Sequence, residues 1–358
     1  MADPPEPKLT TTPRPDHPTK HRTTGHPHSD HPDHPRRHHR HHRDHHGEKT
    51  PVVILANGEK IPAIGLGTFR LRQPTETVEL AIDIGYRLID CGFIHQNESE
   101  VGAAINKKIR EGVVERDDLF IIGKLWNTHH KPEEVIPAIE RSLSDLCLHY
   151  FDAYLMQWPF ASKKAKDEYE YCKLDEEHTP IEDTWCAMEE LVSLGYTRML
   201  GLSNFNSDQI TQVLKISSVC PVINEIEVNP YFQNRMLSLF CKSRNIQVIA
   251  YAPLGSSDAP WIDTDIHPPI IDRPVILETA EKYNKDPGQI VLRYLHQLCV
   301  IPIPRSTDCD RLHYNFNIFD FGIDCIDHTE INTLETGIRT SPYKWARHFK
   351  EYPFHSPY

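Results

Sequence analysis

Short apolar runs alternate with longer segments of helical periodicity from about residue 64 to residue 304. The short runs have the length of buried parallel strands, whereas the longer segments place apolar residues on one face of a helix. This order of elements is typical of βαβ units, in which helices cover a parallel sheet. The predicted strands lie near Ile64–Gly67, Arg87–Asp90, Leu119–Lys124, Phe151–Met156, Met199–Ser203, Val222–Glu227, Val248–Tyr251 and Val300–Pro304.

The segments between these strands predict helices, and several begin with a start signal. Lys131-Pro132-Glu133-Glu134 places a proline and two acids in a first turn, and Asn206-Ser207-Asp208 offers capping side chains. The predicted helices include Thr75–Ile84, Glu98–Arg110, Pro132–Leu146, Ile181–Leu194, Ser207–Ile216 and Arg235–Arg244.

Eight parallel strands, most of them followed by one helix, close more readily into a (β/α)₈ TIM barrel than into an open sheet. The alternative fold is an open doubly wound sheet, which usually carries a G-x-G-x-x-G phosphate loop after its first strand. Gly65-Leu66-Gly67-Thr68 matches that loop poorly. The predicted fold class is therefore α/β, a TIM barrel.

Connecting segments add three features to this barrel. Val52–Leu55 and Lys60–Pro62 flank an Ala56-Asn57-Gly58 turn, which predicts an N-terminal β-hairpin. The long connections Phe160–Pro180 and Gly255–Asp272 both follow strands. We therefore expect both at the C-terminal face, where barrel active sites lie.

The first 46 residues differ in composition from the rest of the chain. They contain twelve histidines and nine prolines and no aromatic residue, so they bury too little apolar surface to fold. We divide the chain into a disordered His/Pro-rich tail, residues 1–50, and a barrel domain, residues 51–358. The histidines of residues 36–46 offer ligands for weak binding of Zn²⁺ or Cu²⁺. A tail without a defined metal site is the favoured interpretation, and no metal site is predicted in the barrel.

Charge and cysteine content limit the partners and the compartment. The formal net charge is −12, although the tail has more basic than acidic residues. The barrel is thus the acidic part, which argues against a nucleic-acid partner. The nine cysteines form no C-x-x-C pair and suit free thiols in a reducing compartment. With no apolar leader and no membrane-length apolar run, we expect a cytoplasmic protein without a membrane partner.

Polar side chains stand at the C-terminal ends of the predicted strands, where a barrel places its functional groups. Any one of them alone is more often a cap or a solvated side chain, but the whole set predicts a functional site. The set comprises Asp90, Lys124, Gln157, Ser203, Asn204, Glu225, Glu227, Tyr251, Arg305 and Ser306.

A series of motifs runs through the same region in a characteristic order. They are Gly65-Leu66-Gly67-Thr68-Phe69, Gly85–Asp90, Gln96–Gly102, Lys124-Leu125-Trp126, Trp158-Pro159, Gly201–Phe205, Asn229-Pro230-Tyr231, Ala250–Ser256 and Ile303–Ser306. With these motifs the chain from about residue 51 to residue 358 resembles the aldo-keto reductase family. The resemblance implies NADP(H)-dependent reduction of aldehydes or ketones to alcohols by hydride transfer, and a small-molecule carbonyl or alcohol substrate.

The resemblance also implies a cofactor site. Ser203 and Asn204 would bind the nicotinamide carboxamide, and Tyr251 would stack on the ring. Arginines and a hydroxyl near a helix start suit a 2′-phosphate, whereas an NAD site would carry an acid. The implied residues are Gly67, Thr68, Ser203, Asn204, Glu225, Tyr251, Leu254, Ser256, Asp258, Arg305, Ser306, Arg311 and Asn315.

Four catalytic groups are implied, and half of them are substituted. The family uses an aspartate, a tyrosine, a lysine and a histidine. Asp90 and Lys124 are retained, whereas His95 stands at the tyrosine position and Gln157 at the histidine position. Imidazole has an ordinary pKa of ~6.5, so a protonated His95 can donate a proton, although Lys124 lowers its pKa. The amide of Gln157 can still orient a carbonyl.

These substitutions leave alternatives open. Weakened proton donation is one interpretation, and a catalytically impaired NADP(H)-binding pseudoenzyme, acting as a redox sensor or binding protein, is another. A metal-responsive protein dominated by its tail is a third. The family has glutamine where Glu225 stands, so a carboxylate there predicts a preference for the oxidised cofactor. The predicted substrate pocket is lined by Phe69, Trp126, Trp158 and Phe160, under a C-terminal segment, Tyr343–Tyr358.

Overall fold

The computed structural model describes residues 50–164, 174–259, 262 and 267–356. The predicted tail, apart from Thr50, lies outside these residues. The strands are β1 (Val52–Ile54), β2 (Lys60–Pro62), β3 (Gly65–Gly67), β4 (Leu88–Asp90), β5 (Phe120–Leu125), β6 (Phe151–Met156), β7 (Ala161–Ser162), β8 (Glu176–Glu177), β9 (Thr197–Ser203), β10 (Ile223–Glu227), β11 (Gln247–Tyr251) and β12 (Ile301–Pro302).

Eight of these strands form one parallel sheet that closes on itself. The order is β3-β4-β5-β6-β9-β10-β11-β12, with every neighbouring pair parallel. Gly67 N donates to Pro304 O at 3.1 Å, which joins β3 to the segment after β12. A Cβ on Gly67 would lie 2.9 Å from Ile303 O, so a glycine is needed for this approach. The predicted TIM barrel is confirmed, and the open sheet is excluded.

The helices surround the barrel. They are α1 (Pro74–Ile84), α2 (Glu98–Arg110), α3 (Pro132–Leu146), α4 (Ile181–Ser193), α5 (Ser207–Ile216), α6 (Arg235–Ser243), α7 (Pro274–Tyr283), α8 (Pro287–Gln297), α9 (Cys309–Phe316) and α10 (Cys325–Asn332). Proline occupies the first turn of α1, α3, α7 and α8, where the missing N–H costs nothing. Asn206 and Gln209 form a capping box at α5. The six helices named from the sequence are all present, with ends that agree within one residue.

The barrel interior is filled by alternate residues of the strands. Its core comprises Leu55, Ile61, Leu88, Phe120, Ile122, Ala153, Leu155, Met199, Val222, Ile223, Ile249, Ile301 and Ile303. Side chains of the opposite parity, such as Ile89 and Leu200, pack outward in a larger core that includes residues of the surrounding helices. This alternation follows from the two-residue period of a strand.

The N-terminal hairpin is present as predicted. β1 and β2 pair antiparallel around Gly58, whose φ is +85°. Leu55 and Ile61 belong to the interior core, so the hairpin closes the N-terminal end of the barrel and leaves the opposite end for the site. No helix in the described ranges is long and apolar enough to cross a membrane.

Candidate active site

The polar residues at the strand ends continue the inward-facing alternation of the core. Asp90 lies two residues after the interior residue Leu88, and Lys124 lies two residues after Ile122. The same step leads from Leu155 to Gln157, from Ile223 to Glu225, from Ile249 to Tyr251 and from Ile303 to Arg305. Because side chains alternate along a strand, the barrel directs these groups toward its axis at the C-terminal end. The predicted site is thus assembled by strand periodicity.

Asp90, Lys124 and Glu225 form a buried charge cluster. Lys124 Nζ is ion-paired with Asp90 Oδ1, donates to Cys91 O at 2.9 Å and lies 3.4 Å from Glu225 Oε2. All three charged side chains are at most 5% exposed. Burial acts to lower the pKa of Lys124, but the Asp90 and Glu225 carboxylates raise it above its ordinary value. Lys124 therefore remains a cation in the site.

His95 lies in a short turn after β4, and a hydrogen bond fixes its orientation. Thr68 Oγ1 donates to Asp90 O at 2.7 Å and lies 2.8 Å from His95 Nδ1. The single hydroxyl proton is used on the carbonyl, so the proton of the second bond must come from His95 Nδ1. In the neutral ring, Nε2 is then the unprotonated nitrogen.

The protonation equilibrium of His95 favours this neutral form. Burial, together with the positive charge of Lys124, lowers the pKa of His95 well below 6.5. The ring is partly accessible and meets Phe69 edge-on, with 5.4 Å between centroids. At neutral pH, His95 consequently presents a ring nitrogen that accepts hydrogen bonds rather than an acidic proton.

Amide and hydroxyl groups lie beside the charge cluster. Tyr251 OH donates to Asn204 Oδ1 at 2.8 Å, and Asn204 Nδ2 donates to Gln157 O at 3.0 Å and also contacts Ser203 Oγ at 3.2 Å. Asn204 takes a positive φ of 64°, a conformation that asparagine tolerates better than most residues. Gln157 Oε1 and Glu225 Oε2 are buried without a hydrogen-bond partner in the described part of the chain. Acceptors of this kind fit a ligand that brings N–H donors, such as a nicotinamide carboxamide.

The predicted phosphate end lies on the loops after β11 and β12. Arg305 is ion-paired with Asp258, which joins the two loops. Partial burial would raise the pKa of Asp258, but the hydrogen bond and charge of Arg305 lower it. Ser306 Oγ accepts from Asp308 N at 3.1 Å beside the start of α9, and Arg311 is exposed in the first turn of that helix.

Other residues predicted to contact the cofactor are distributed around the same end. Leu254 and Ser256 are half-buried in the loop after β11, and Asn315 is buried in α9. Gly67 and Thr68, also predicted for the cofactor, have contacts within the chain. Gly67 closes the barrel, and Thr68 holds His95.

The predicted pocket walls lie mostly beneath the C-terminal segment. Trp126, Trp158 and Phe160 are each at most 2% exposed, whereas Phe69 is half-buried. Trp158 stacks on Tyr343, with 4.3 Å between centroids. Phe160 is similarly covered by further rings of the segment, Trp345 and Phe349. The predicted cover of the site is therefore in contact with its predicted walls.

Glu227 has a role that the sequence did not indicate. Its Oε1 accepts hydrogen bonds from the backbone N–H and the hydroxyl of Thr340, each at 2.7 Å, and its Oε2 accepts a hydrogen bond from Ser341 N at 3.1 Å. Glu227 thus fixes the residues just before the C-terminal segment to the end of β10. The available signal was its position two residues after Glu225 on the inward face.

Metal-binding and redox features are limited in the described residues. No group of three or more histidine, cysteine or acidic side chains there could hold a metal ion. The histidine-rich stretch of the tail lies outside these residues. All eight cysteines that the structure describes are free thiols.

Comparison with known proteins gives one consistent result. The model of the aldo/keto reductase family matches residues 63–336, which span the barrel from β3 to α10. Aldo-keto reductase family 1 member A1 of Homo sapiens is 41% identical over 293 residues, covering 80% of this chain and 90% of the relative. The Gallus gallus protein of the same name is 38% identical over 321 residues, covering 86% and 98%.

Solved structures agree with the sequence comparison. A Bombyx mori aldo-keto reductase in complex with NADP superposes with a TM-score of 0.80 at 36% identity, covering 86% of this chain and 100% of the other. The aldose reductase from Schistosoma japonicum has the same TM-score and coverage at 35% identity.

Proposed function

The chain belongs to the aldo/keto reductase family, as its motifs predicted, and from this premise we propose that it reduces aldehydes or ketones with NADPH through a weakened proton donor. Membership of this family makes it an NADP(H)-dependent oxidoreductase in class, and the similar Bombyx mori protein was solved with NADP. The weakened donor is inferred from one observation, the bond between His95 and Thr68 at the position where the family carries a tyrosine.

The cofactor site proposed for NADP(H) follows the inward-facing strand ends. Ser203 and Asn204 would hold the carboxamide, next to Glu225 Oε2, and Tyr251 would face the ring. Arg305 would bind the 2′-phosphate together with Arg311 and Ser306. A guanidinium has five N–H donors, so Arg305 can bind a phosphate while it remains paired with Asp258.

Proton delivery is the step that this chain performs poorly in our proposal. When bound, the reduced nicotinamide supplies a hydride to the carbonyl carbon, and the carbonyl oxygen then requires a proton. Neutral His95 keeps its proton on Nδ1, toward Thr68, so only the imidazolium form has a proton to give from Nε2. That form is a minor one at neutral pH, because the pKa of His95 is well below 6.5. General acid catalysis contributes ~10²–10⁴-fold, so we expect a loss within that range.

Gln157 would retain part of the role of the residue it replaces. Its side chain is buried, and its Oε1 has no partner in the described chain. The amide NH₂ group would donate a hydrogen bond to the substrate carbonyl and hold it beside the nicotinamide. A neutral amide has no proton to transfer, so Gln157 would orient the substrate without acting as an acid.

A second candidate function is favoured by the same observation together with the covered pocket. A site whose proton-donor position holds a neutral His95, and whose aromatic walls lie under the C-terminal segment, suits a protein that binds NADP(H) without turnover. Such a pseudoenzyme would report the redox state of its cofactor or act as a binding protein.

One experiment separates these functions. NADPH binding is measured by fluorescence titration, followed by NADPH oxidation on a panel of aldehydes for the native protein, His95→Tyr, and the double variant with Gln157→His. Slow native turnover that increases in His95→Tyr supports the reductase. Binding without turnover until both positions are changed supports the pseudoenzyme, and absence of NADPH binding refutes both functions.

Two properties of the whole chain belong to the same proposal. A cytoplasmic location is supported by the free thiols of the described cysteines. The division into a tail, residues 1–50, and a barrel domain, residues 51–358, is supported by the compositional change at the tail boundary. Weak metal binding by the tail would be independent of the barrel.

A further inference from the structure

Two buried carboxylates share one buried cation in the candidate active site. Asp90 is ion-paired with Lys124 Nζ, and Glu225 Oε2 lies 3.4 Å from the same nitrogen. The side chains of all three residues are at most 5% exposed. If both carboxylates were ionised, the cluster would carry one uncompensated negative charge away from water.

An uncompensated buried charge is costly, and a proton removes it. Lys124 contacts Asp90 and the carbonyl of Cys91 more closely than it contacts Glu225. Glu225 Oε2 receives no hydrogen bond from the described residues. Glu225 is therefore the member of the pair with the weakest stabilisation of its charged form.

We propose that Glu225 is a neutral carboxylic acid beside the reduced nicotinamide and releases its proton when the oxidised, positively charged ring is bound. The proposal rests on the NADP(H) site described under the proposed function. The balanced step is that protonated protein and NADP⁺ give the NADP⁺ complex and one proton in solvent. No electron is transferred to or from Glu225.

Electrostatics of the neighbouring elements agree with this assignment. Burial, followed by the charge of Asp90, raises the pKa of Glu225 well above 4.5, and Lys124 opposes them only in part. The pKa values of Cys91, after β4, and of Tyr251, at the end of β11, are raised above their ordinary values, first by burial. Both groups remain neutral, so they add no charge to the cluster.

The neutral acid explains how glutamate can stand where the family has glutamine. A protonated carboxyl group offers an O–H donor beside a carbonyl acceptor, and it therefore retains one of the two donors and the acceptor of the glutamine amide without adding a charge. Only ionisation adds the negative charge that favours the oxidised ring. The preference for the oxidised cofactor, expected from the sequence for a permanent carboxylate, becomes dependent on pH.

Linkage gives the sign and size of this dependence. In the pH range in which Glu225 is protonated in the cofactor-free protein and ionised in the NADP⁺ complex, the affinity for NADP⁺ rises about tenfold for each unit by which pH increases. The affinity for NADPH lacks this contribution. Titration of the 2′-phosphate affects both cofactors alike, so it cancels in the ratio of their dissociation constants.

The test measures the dissociation constants of NADP⁺ and NADPH by tryptophan fluorescence between about pH 6 and pH 9, for the native protein and for Glu225→Gln. Calorimetry in buffers of different ionisation enthalpy counts the protons released on binding. We expect the dissociation constant of NADP⁺, divided by that of NADPH, to decrease as pH increases in the native protein. The same ratio should be constant in Glu225→Gln. A ratio that is constant in both proteins, or that falls equally in both, overturns the proposal.

An infrared measurement on the cofactor-free protein provides a second readout. The carbonyl stretch of a protonated carboxylic acid should appear at neutral pH in the difference spectrum of the native protein minus Glu225→Gln, in which the contribution of Glu98, whose pKa is about 7, cancels. Circular dichroism confirms that the variant folds. Absence of this band overturns the protonated Glu225 even if neither cofactor binds. Failure to bind either cofactor refutes the proposed function, whereas binding with a pH-independent ratio refutes only the present inference.

Discussion

Replacing Glu98 by glutamine should stabilise the protein at high pH and not at low pH. Glu98 is the first residue of α2 and is 5% exposed. Its Oε2 accepts a hydrogen bond from Ser142 Oγ at 2.9 Å, whereas its Oε1 is buried without a hydrogen-bond partner among the described residues. Burial raises the pKa of Glu98 from 4.5 to about 7. The folded state therefore holds a proton over a pH range in which the unfolded chain has lost it.

This difference sets the sign and the size of the effect. A raised carboxyl pKa makes the free energy of unfolding fall as pH rises from about 4.5, and the loss is complete above about 7. At about 1.4 kcal/mol per pH unit, the total is about 3 kcal/mol. Glutamine has no charge to bury and can still bond Ser142, so Glu98→Gln removes the loss.

Urea denaturation at a series of pH values measures the effect directly. Glu98→Gln should exceed the native protein by up to about 3 kcal/mol above pH 7, and the advantage should shrink as pH falls toward 4.5. Glu100→Gln is the matched control, because it removes an exposed acid from the same helical turn. A gain for Glu98→Gln that is independent of pH, or no gain at pH 8, would refute the reasoning.

Three further substitutions test other parts of the structure. Phe349→Ala should loosen the C-terminal segment, because this ring is 1% exposed and truncation of a buried phenylalanine costs about 3–5 kcal/mol. Limited proteolysis should cleave the segment faster in the variant, and unchanged protection would contradict the expectation. Arg305→Ala should lower the affinity for NADPH about 10- to 150-fold, because a charged hydrogen bond worth about 1.5–3 kcal/mol is lost, and should leave the affinity for NADH nearly unchanged. Equal losses of affinity for both cofactors would place the 2′-phosphate elsewhere. Gly67→Ala should lower the melting temperature, because the added Cβ would meet Ile303 O at 2.9 Å; an unchanged melting temperature would show that the barrel closure tolerates a side chain.

The sequence predicted those parts of the fold that depend on local pattern. Helices such as α2 and α3 were predicted with both ends correct, because their apolar spacing and first-turn residues are local signals. The two-residue strands β7 and β8 lie within the charged connection after β6 and carry no such pattern. Their pairing depends on contacts between distant residues, which periodicity does not encode.

The candidate site was predicted as a set of residues but not as a set of interactions. Inward-facing positions such as Asp90 and Lys124 follow from strand alternation. The contact of Thr68 with His95 joins two residues 27 apart, and that of Glu227 with Thr340 joins residues 113 apart. Long-range bonds of this kind decide the tautomer of His95 and fix the residues just before the C-terminal segment, so only the folded structure reveals them.

The pH dependence of a single turnover tests the central claim, that His95 holds its proton away from the substrate. NADPH oxidation by excess protein is followed with one aldehyde across a pH series, for the native protein and for His95→Tyr. Above the pKa of His95, the native rate should rise about tenfold for each unit by which pH falls, because only imidazolium donates. The tyrosine variant should be faster at neutral pH and nearly independent of pH over the same range. Equal, pH-independent rates in both proteins would contradict the account.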